Sequence, residues 1–233
     1  FLSGSDGYVT LCKAVSEDLL KLKPDARFAV LQHPLYSHFG EKEQREAAEA
    51  KLGLKSGRRN ILFFGLIRDY KGLDILLEAF GKLSGEYQLI VAGEPYGSFE
   101  KYEKIISDLS NRDDIHLFLK YIKDDEVSSF FSAADIAVLP YRSATQSGIS
   151  SVSYHFEVPM IVTDTGGLKE TIGDRGTGIV ADACAPEAIA EEIEEYFSNP
   201  ETKERCIRNI KSEKDRLSWK NFCARLLEFA DKL

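Results

Sequence analysis

Short apolar runs alternate with longer amphipathic stretches along almost the whole chain. Runs of Ile, Val, Leu and Phe predict strands buried on both faces, as in a parallel sheet. The predicted strands are Tyr8–Leu11, Phe28–Gln32, Ile61–Gly65, Tyr87–Ala92, Ile115–Leu119, Ile136–Pro140, Met160–Thr163 and Gly178–Ala181. Helical spacing of apolar residues predicts helices at 13–22, 41–52, 73–83, 98–110, 124–133, 148–156, 167–172, 186–198, 201–216 and 219–232. This alternation predicts an α/β fold with a doubly wound, Rossmann-like parallel sheet.

The first 40 residues differ from the rest of the chain, because they hold only two strands and one helix before a charged run. They are too few to bury a core of their own. We expect them either to belong to a neighbouring domain or to cover the edge of the sheet. The predicted division is therefore residues 1–38, a remnant and linker, and residues 39–233, the α/β domain with its C-terminal helix. The apolar side chains of that helix are expected to pack in the core: Trp219, Phe222, Leu226, Leu227 and Phe229.

The segment from Ile61 to Phe80 is the most informative part of the chain. Its apolar run ends at Gly65, and Arg68 and Lys71 follow shortly before the helix at 73–83. A helix N-terminus offers free N–H groups and the positive end of a dipole, cations add charge, and glycine lets a ligand approach the backbone. The pattern favours an anion such as a diphosphate. Because strand–turn–helix units with exposed cations occur in any α/β protein, this pattern alone leaves a purely structural role open.

Two further loops follow predicted strands, at the carboxyl edge where ligands bind to such sheets. Gly93 and Glu94 form either a simple turn or a part of the ligand side of the sheet. Thr145, Ser147 and Gly148 precede a helix, and capping alone would explain them. The alternative is that this helix start receives a phosphate or sugar hydroxyls.

A third such loop contains Gly166 and Gly167, and Glu170 follows on the first helical turn. A Gly-Gly pair permits unusual backbone angles and close approach of a ligand. Glu170 is either a capping-box carboxylate paired with Gly167 or Thr165, or a hydrogen-bond acceptor for sugar hydroxyls.

Composition narrows the class of protein. The chain has 233 residues and a net charge of −8, which argues against a nucleic-acid-binding surface but not against a local basic pocket. No apolar run approaches the roughly 20 residues of a membrane-spanning helix. The four cysteines form no CxxC pair and no zinc spacing with histidine, so we expect reduced thiols, no metal site and a cytoplasmic location. Because the first residue is Phe, we expect the natural start to lie upstream.

Several blocks of the chain occur in an order that resembles a known family. The blocks are Phe64-Gly65, Lys71-Gly72, Leu76–Phe80, Ile90–Glu94, Ala134–Pro140, Pro159–Thr163, Gly166-Gly167 with Glu170, Gly178–Val180 and Pro186–Ala190. Together they resemble the C-terminal, nucleotide-sugar-binding half of the retaining GT-B glycosyltransferases of the large group 1 family (family 4). The likeness covers roughly residues 55–233.

This resemblance implies roles for individual residues. Arg68 and Lys71 would be catalytic, because they would hold the donor diphosphate and stabilise negative charge on the leaving nucleotide. The segment 119–122, with Tyr121, would frame the nucleobase, and the loop 146–149 would meet phosphate or sugar. The full implied donor-binding set is Gly65, Gly93, Glu94, Tyr121, Gln146, Ser147, Gly148, Ile149, Gly166, Gly167 and Glu170. No metal and no cofactor are expected.

The resemblance also implies partners. The donor would be a nucleotide sugar, and a glycan or lipid acceptor would bind through an N-terminal acceptor domain of which residues 1–34 are the last part. The C-terminal helix would pack back toward that domain, which could also attach the enzyme peripherally to the inner membrane. We expect hexosyl transfer in polysaccharide or cell-envelope biosynthesis. This chain alone should be inactive, because acceptor contacts and closure around the donor would be missing.

One departure from the family keeps other functions open. Many members carry two glutamates eight residues apart in the segment that is here 144–157. This chain has Thr145–Ser147 near the first position and Val152 or Ser153 near the second, with Glu157 out of register. The alternatives to a glycosyltransferase donor domain are a non-catalytic GT-B-like partner or regulatory module that binds nucleotide sugar, and a nucleotide-sugar epimerase of GT-B shape. The epimerase would need histidines and carboxylates in the cleft.

Overall fold

The computed structural model describes residues 4–233. The strands in this range are β1 (Tyr8–Thr10), β2 (Phe28–Val30), β3 (Arg59–Phe64), β4 (Tyr87–Ala92), β5 (Ile115–Phe118), β6 (Ile136–Leu139), β7 (Met160–Thr163) and β8 (Gly178–Ala181). The α-helices are α1 (Lys13–Leu22), α2 (Arg45–Leu52), α3 (Leu73–Lys82), α4 (Glu100–Asp108), α5 (Asp124–Ala133), α6 (Gly148–His155), α7 (Pro186–Ser198), α8 (Pro200–Arg216) and α9 (Trp219–Ala230). Short 3₁₀ turns lie at Asp69–Lys71 and Arg112–Asp114, and a π-helix lies at Lys169–Gly173.

Six of the strands form one parallel sheet in the order β5-β4-β3-β6-β7-β8. Counted from β3, this is the order 3-2-1-4-5-6 of the doubly wound dinucleotide-binding fold. The winding reverses between β3 and β6, so the carboxyl ends of these two strands border a crevice. The doubly wound parallel sheet predicted from the sequence is confirmed.

The core lies in two layers, one on each face of this sheet. Side chains of β3 alternate between them: Leu62 belongs to one cluster, with residues of α5 and α6, and Ile61 and Phe63 belong to the other, with residues of α3 and α7. This alternation follows from the period of two along a strand. Helices on both faces explain why the strands are apolar throughout.

The N-terminal strands β1 and β2 pair with each other in a separate two-stranded parallel sheet. These two strands therefore do not extend the main sheet as edge strands. The last helix packs against this unit: Arg225 donates to the Val30 carbonyl oxygen, and Arg27 donates to the carbonyl oxygens of Lys232 and Leu233. This contact agrees with the implied packing of the C-terminal helix. The domain boundary at residue 38 stays a prediction, and residues 1–3 lie outside the described range.

The expected core packing of α9 is wrong, because this helix has no buried residue. Trp219 is 54% exposed and Leu227 is 65% exposed. Its contacts within residues 4–233 include the Val30 carbonyl oxygen, at the end of β2, and the His33 ring, whose centroid lies 6.3 Å from that of Trp219. Part of its apolar face stays open.

The ends of several elements differ from the prediction. β3 begins at Arg59 because Arg59 and Asn60 already pair with β4. α2 begins only at Arg45, since the preceding segment runs extended and the Glu43 N–H donates to the Ser132 hydroxyl of α5. The helix predicted at 167–172 is the π-helix. None of the helices within residues 4–233 combines the length and apolar character needed to cross a membrane.

Candidate functional site

The turn after β3 lies directly against the turn after β6. Gly72, the N-cap residue of α3, has a φ of +69°, and a side chain there would overlap the Pro140 carbonyl oxygen. The Arg142 N–H donates to the Tyr70 carbonyl oxygen at 2.7 Å. The loops that follow the two switch-point strands are therefore packed together at the crevice.

Arg142, which sequence analysis did not single out, holds this arrangement. Its guanidinium donates to both carboxylate oxygens of Asp74, at 2.9 and 2.8 Å, and to the Asp69 carbonyl oxygen at 2.8 Å. Burial opposes ionisation of Asp74, but the hydrogen bonds and charge of Arg142 outweigh it and lower the pKa of Asp74. Because Asp74 neutralises Arg142, this cation is already used within the protein.

Lys71 differs from Arg142, because no carboxylate of residues 4–233 forms an ion pair with it. The residue is 9% exposed. Its ammonium nitrogen lies 5.7 Å from the centroid of the Tyr141 ring. Burial, and secondly the charge of Arg68, lower the pKa of Lys71 to about 8. A lysine that is largely buried and has no counter-ion in the described part of the chain carries a charge that a bound anion would compensate.

Arg68 is the second cation of the turn. Its guanidinium carbon lies 4.3 Å from the centroid of the Tyr96 ring. Its Nε is buried and has no hydrogen-bond partner within the described part of the chain. No ion pair of residues 4–233 includes it. Sequence analysis did not identify Tyr96, since a lone aromatic residue in a loop carries no motif.

The start of α6 faces the same turn. The Ser147 hydroxyl caps the helix by accepting from the Ile149 N–H at 3.3 Å, and it lies 3.2 Å from the Tyr141 hydroxyl. Burial raises the pKa of Tyr141 to about 12, so this phenol stays protonated. The Ile149 side chain lies beside Gly65. Ser147 therefore has the capping role predicted for it, while a role of this helix start in phosphate or sugar binding stays a prediction.

The structure also brings Gly93 to this edge. A side chain on Gly93 would overlap the Gly65 carbonyl oxygen, so the turns after β3 and β4 touch. The Glu94 side chain is exposed, while its carbonyl oxygen accepts from the Ile67 N–H at 2.9 Å. Tyr121, in the loop after β5, is 67% exposed, and no hydrogen bond or ring contact within residues 4–233 joins it to the other predicted site residues.

The Gly166-Gly167 turn supports the loop that leads into α6. A side chain on Gly166 would overlap the Ala144 carbonyl oxygen, and the Gly167 N–H donates to the Thr145 carbonyl oxygen at 3.0 Å. The Glu170 carboxylate accepts from the Lys13 N–H, at the start of α1, at 2.9 Å. It therefore interacts with another helix start rather than with its own, and the capping-box interpretation is wrong.

A cavity of about 170 Å³ lies between the segment at 32–36 and α6. It adjoins the cation turn through Gln146, Ser147 and Gly148, but neither Arg68 nor Lys71 lines it. No lysine, arginine or carboxylate side chain lines it, and its polar lining residues include Gln32, His33, Gln146, Ser147, Ser150, Ser151 and Thr171. The Gln146 carboxamide makes no hydrogen bond within residues 4–233. The site thus combines a cationic turn with an uncharged, hydroxyl- and amide-lined cavity.

The second of the two positions where many members carry a glutamate is closed to a ligand. Val152 is 4% exposed and Ser153 is fully buried, so both face the interior. Glu157 has a φ of +59° and pairs with Lys211 and Lys214 at the other end of α6. Within residues 4–233, no group of three or more His, Cys, Asp or Glu side chains could hold a metal ion. Metal-independent chemistry stays a prediction.

Comparison with known proteins identifies the family. Residues 44–213 match the model of the family described as glycosyl transferases group 1. The chain belongs to this family. A D-inositol 3-phosphate glycosyltransferase of Corynebacterium urealyticum is 23% identical over 197 residues, which cover 81% of this chain and 46% of that protein. The chain spans about half the length of the curated relatives it matches.

Solved structures agree with this placement in the fold. HepE of Anabaena, in complex with UDP, superposes with a TM-score of 0.85 at 13% identity, over 98% of this chain and 64% of that one. The C-terminal domain of the group 1 protein LpcC of Francisella tularensis superposes with a TM-score of 0.62 at 20% identity, over 74% of this chain and 92% of that domain. The predicted resemblance to the C-terminal half of GT-B glycosyltransferases is confirmed.

Proposed function

We propose that this chain is the donor-binding half of a retaining group 1 glycosyltransferase, which moves a hexosyl group from a nucleoside-diphosphate sugar to a glycan or lipid acceptor. The observation that carries the proposal is the position of Lys71, which is 9% exposed, forms no ion pair within residues 4–233 and lies beside Arg68 at the switch point of the sheet. Buried charges in proteins are normally paired. A diphosphate would supply the missing negative charge to both cations.

The rest of the donor fits around this anchor. The diphosphate lies between the turn after β3 and the first turn of α6, and the sugar occupies the uncharged cavity beside Gln146. The nucleobase lies toward Tyr121, as the family resemblance implies. The structure of HepE with UDP describes that protein's own ligand, and it makes UDP the first nucleotide to test here.

In the proposed reaction, the bond between the anomeric carbon and the β-phosphate oxygen breaks. The acceptor oxygen forms the new bond to that carbon, and its proton passes to the departing diphosphate. Arg68 and Lys71 stabilise the negative charge that develops on the leaving group. Retention of configuration and a role in polysaccharide or envelope biosynthesis follow from the family resemblance. The acceptor binds through the domain that precedes this half, so the chain alone is inactive.

Calorimetry with UDP and GDP tests the binding step. We expect at least one nucleotide to bind, and the variant Arg68→Ala with Lys71→Ala to lower its affinity by about a hundredfold or more, since each charge-assisted contact contributes about 1.5–3 kcal/mol. The matched control is Arg112→Ala with Lys82→Ala, both at the surface and far from the crevice. If neither nucleotide binds, or if the double variant binds as well as wild type, the proposal is wrong.

The second candidate is a non-catalytic module that binds nucleotide sugar. The observation that favours it is the composition of α6, which holds no Asp or Glu and has Val152 and Ser153 buried. The full-length gene product, assayed with a panel of nucleotide sugars, separates the two functions. Release of nucleoside diphosphate with a glycosylated product supports the transferase, and binding without turnover supports the module. An epimerase is not favoured, because His33 is the sole member of the four histidines that lines the cavity.

A further inference from the structure

Tyr96 has an unexplained position at the crevice. It lies in the loop after β4 and is 73% exposed, yet the face of its ring is directed at a cation. The Arg68 guanidinium carbon lies 4.3 Å from the ring centroid, well inside the range of a cation–π contact. A tyrosine that is this exposed gains little stability from burial, so packing does not explain its position.

Within the described part of the chain, no side-chain hydrogen bond holds Arg68 in place. No ion pair of residues 4–233 includes it, and its buried Nε has no acceptor within that range. Arg142, on the neighbouring loop, is fixed instead by both carboxylate oxygens of Asp74 and by a carbonyl oxygen. The long arginine side chain has considerable rotamer freedom. The Tyr96 ring is therefore the contact that selects one orientation for Arg68.

The ring is itself held in place by the backbone. The Tyr96 N–H donates to the Ile67 carbonyl oxygen at 2.9 Å, and the Ile67 N–H donates to the Glu94 carbonyl oxygen at 2.9 Å. Ile67 and Pro95 form a parallel β-bridge beyond the ends of β3 and β4. Ile67 directly precedes Arg68, so the hydrogen bonds that hold the Tyr96 backbone also hold the backbone next to Arg68.

We propose that Tyr96 is a positioning residue, which stacks on Arg68 and presents the edge of its guanidinium group to the diphosphate. This inference rests on the proposed donor function. Stacking occupies the face of the guanidinium plane and leaves the N–H groups in that plane free, which is what a two-point contact with phosphate needs. The ring also shields one face of the cation from water, which strengthens the contact.

The stacking is testable without any ligand. In a ¹⁵N–¹H spectrum of the arginine Nε–H groups, the Arg68 signal is assigned from its absence in Arg68→Lys. We expect a ring-current shift of this signal in wild type and in Tyr96→Phe, and its loss in Tyr96→Ala. Tyr121→Ala, which removes another exposed tyrosine of the same edge, should leave the signal unchanged. An Arg68 signal that does not move in Tyr96→Ala overturns the inference, whatever the protein binds.

The functional part is tested by titrating wild type, Tyr96→Ala and Tyr96→Phe with UDP and with inorganic pyrophosphate. Tyr96→Ala should weaken both by about fivefold, and Tyr96→Phe should restore wild-type affinity. If Tyr96→Ala binds UDP more weakly but binds pyrophosphate as well as wild type, the ring acts on the nucleoside, and the positioning role is wrong. If wild type binds neither UDP nor pyrophosphate, the proposed donor function is wrong. The arginine spectrum still decides whether Tyr96 orients Arg68.

Discussion

The Lys71 ammonium nitrogen lies 3.2 Å from the point that a β-carbon on Gly65 would occupy. The Ile149 Cδ1 atom lies 3.1 Å from the same point. Gly65 thus leaves room for the cation between β3 and the start of α6. Its φ of +101° is a second, independent reason for glycine at this position.

Gly65→Ala should push the Lys71 side chain away and weaken UDP binding by about tenfold, while backbone strain lowers the free energy of unfolding by about 1–2 kcal/mol. The control is Gly57→Ala. Gly57 has a φ of +77°, and no atom lies within 4 Å of the point that its β-carbon would occupy, so this variant carries strain without a clash. Calorimetry and denaturant unfolding measure both effects. Equal loss of UDP affinity in the two variants would contradict the account.

UDP affinity should fall as the pH rises from about 7.5 to about 9.5. This range includes the pKa of Lys71 and lies above the second pKa of a phosphate group, which is roughly 6. The Lys71 pKa is lowered from 10.5 to about 8, so the free protein loses this charge above about pH 8. A bound diphosphate favours the ammonium form, so binding takes up a proton. Calorimetry in buffers of different ionisation enthalpy measures that proton. In Lys71→Arg, whose guanidinium stays charged, the affinity should be independent of pH.

Lys71→Met should stabilise the free protein at pH 7 by about 1–3 kcal/mol while it weakens UDP binding. The native pKa lies below the unfolded one, so burying the charged form costs stability below about pH 8. That cost disappears as the pH rises from about 8 toward 10.5, and the advantage of the variant should shrink over this window. Denaturant unfolding at several pH values checks this. The control Lys82→Met, at the exposed end of α3, should change little.

Gln146→Ala should reduce the affinity that UDP-glucose gains over UDP, because Gln146 lines the cavity assigned to the sugar. Its carboxamide has no other partner within the described range, so the substitution should not change stability. Glu170→Ala should remove the contact with the Lys13 N–H and leave the affinity for UDP unchanged. Paired titrations with UDP and UDP-glucose measure both variants. If the affinity for UDP-glucose relative to UDP is the same in Gln146→Ala and in wild type, the sugar does not occupy this cavity.

The sequence was sufficient for the parts of the fold that depend on local pattern. Each predicted strand and helix is present, and the α1, α5 and α7 helices have the predicted bounds. The environment of α9 could not be predicted, because an apolar face does not reveal how much of the chain covers it. The separate pairing of β1 with β2 likewise depends on distant contacts rather than on their own residues.

The candidate site was predictable to a similar extent. Arg68 and Lys71 were recognisable because a glycine, two cations and a helix start lie close together in sequence. The burial of Lys71 was not, because Tyr141, in the loop after β6, and Ile149, in α6, approach the turn only in the folded chain. Tyr96 and Arg142 act through partners on neighbouring loops, and only the sheet order brings those loops together.

A crystal structure with bound UDP tests the central claim most directly, which is that one diphosphate neutralises both cations of the turn after β3. The account predicts phosphate oxygens within about 3.2 Å of the Lys71 ammonium and the Arg68 guanidinium groups, beside the first turn of α6. UDP bound elsewhere, or both side chains turned away from an empty crevice, would contradict it.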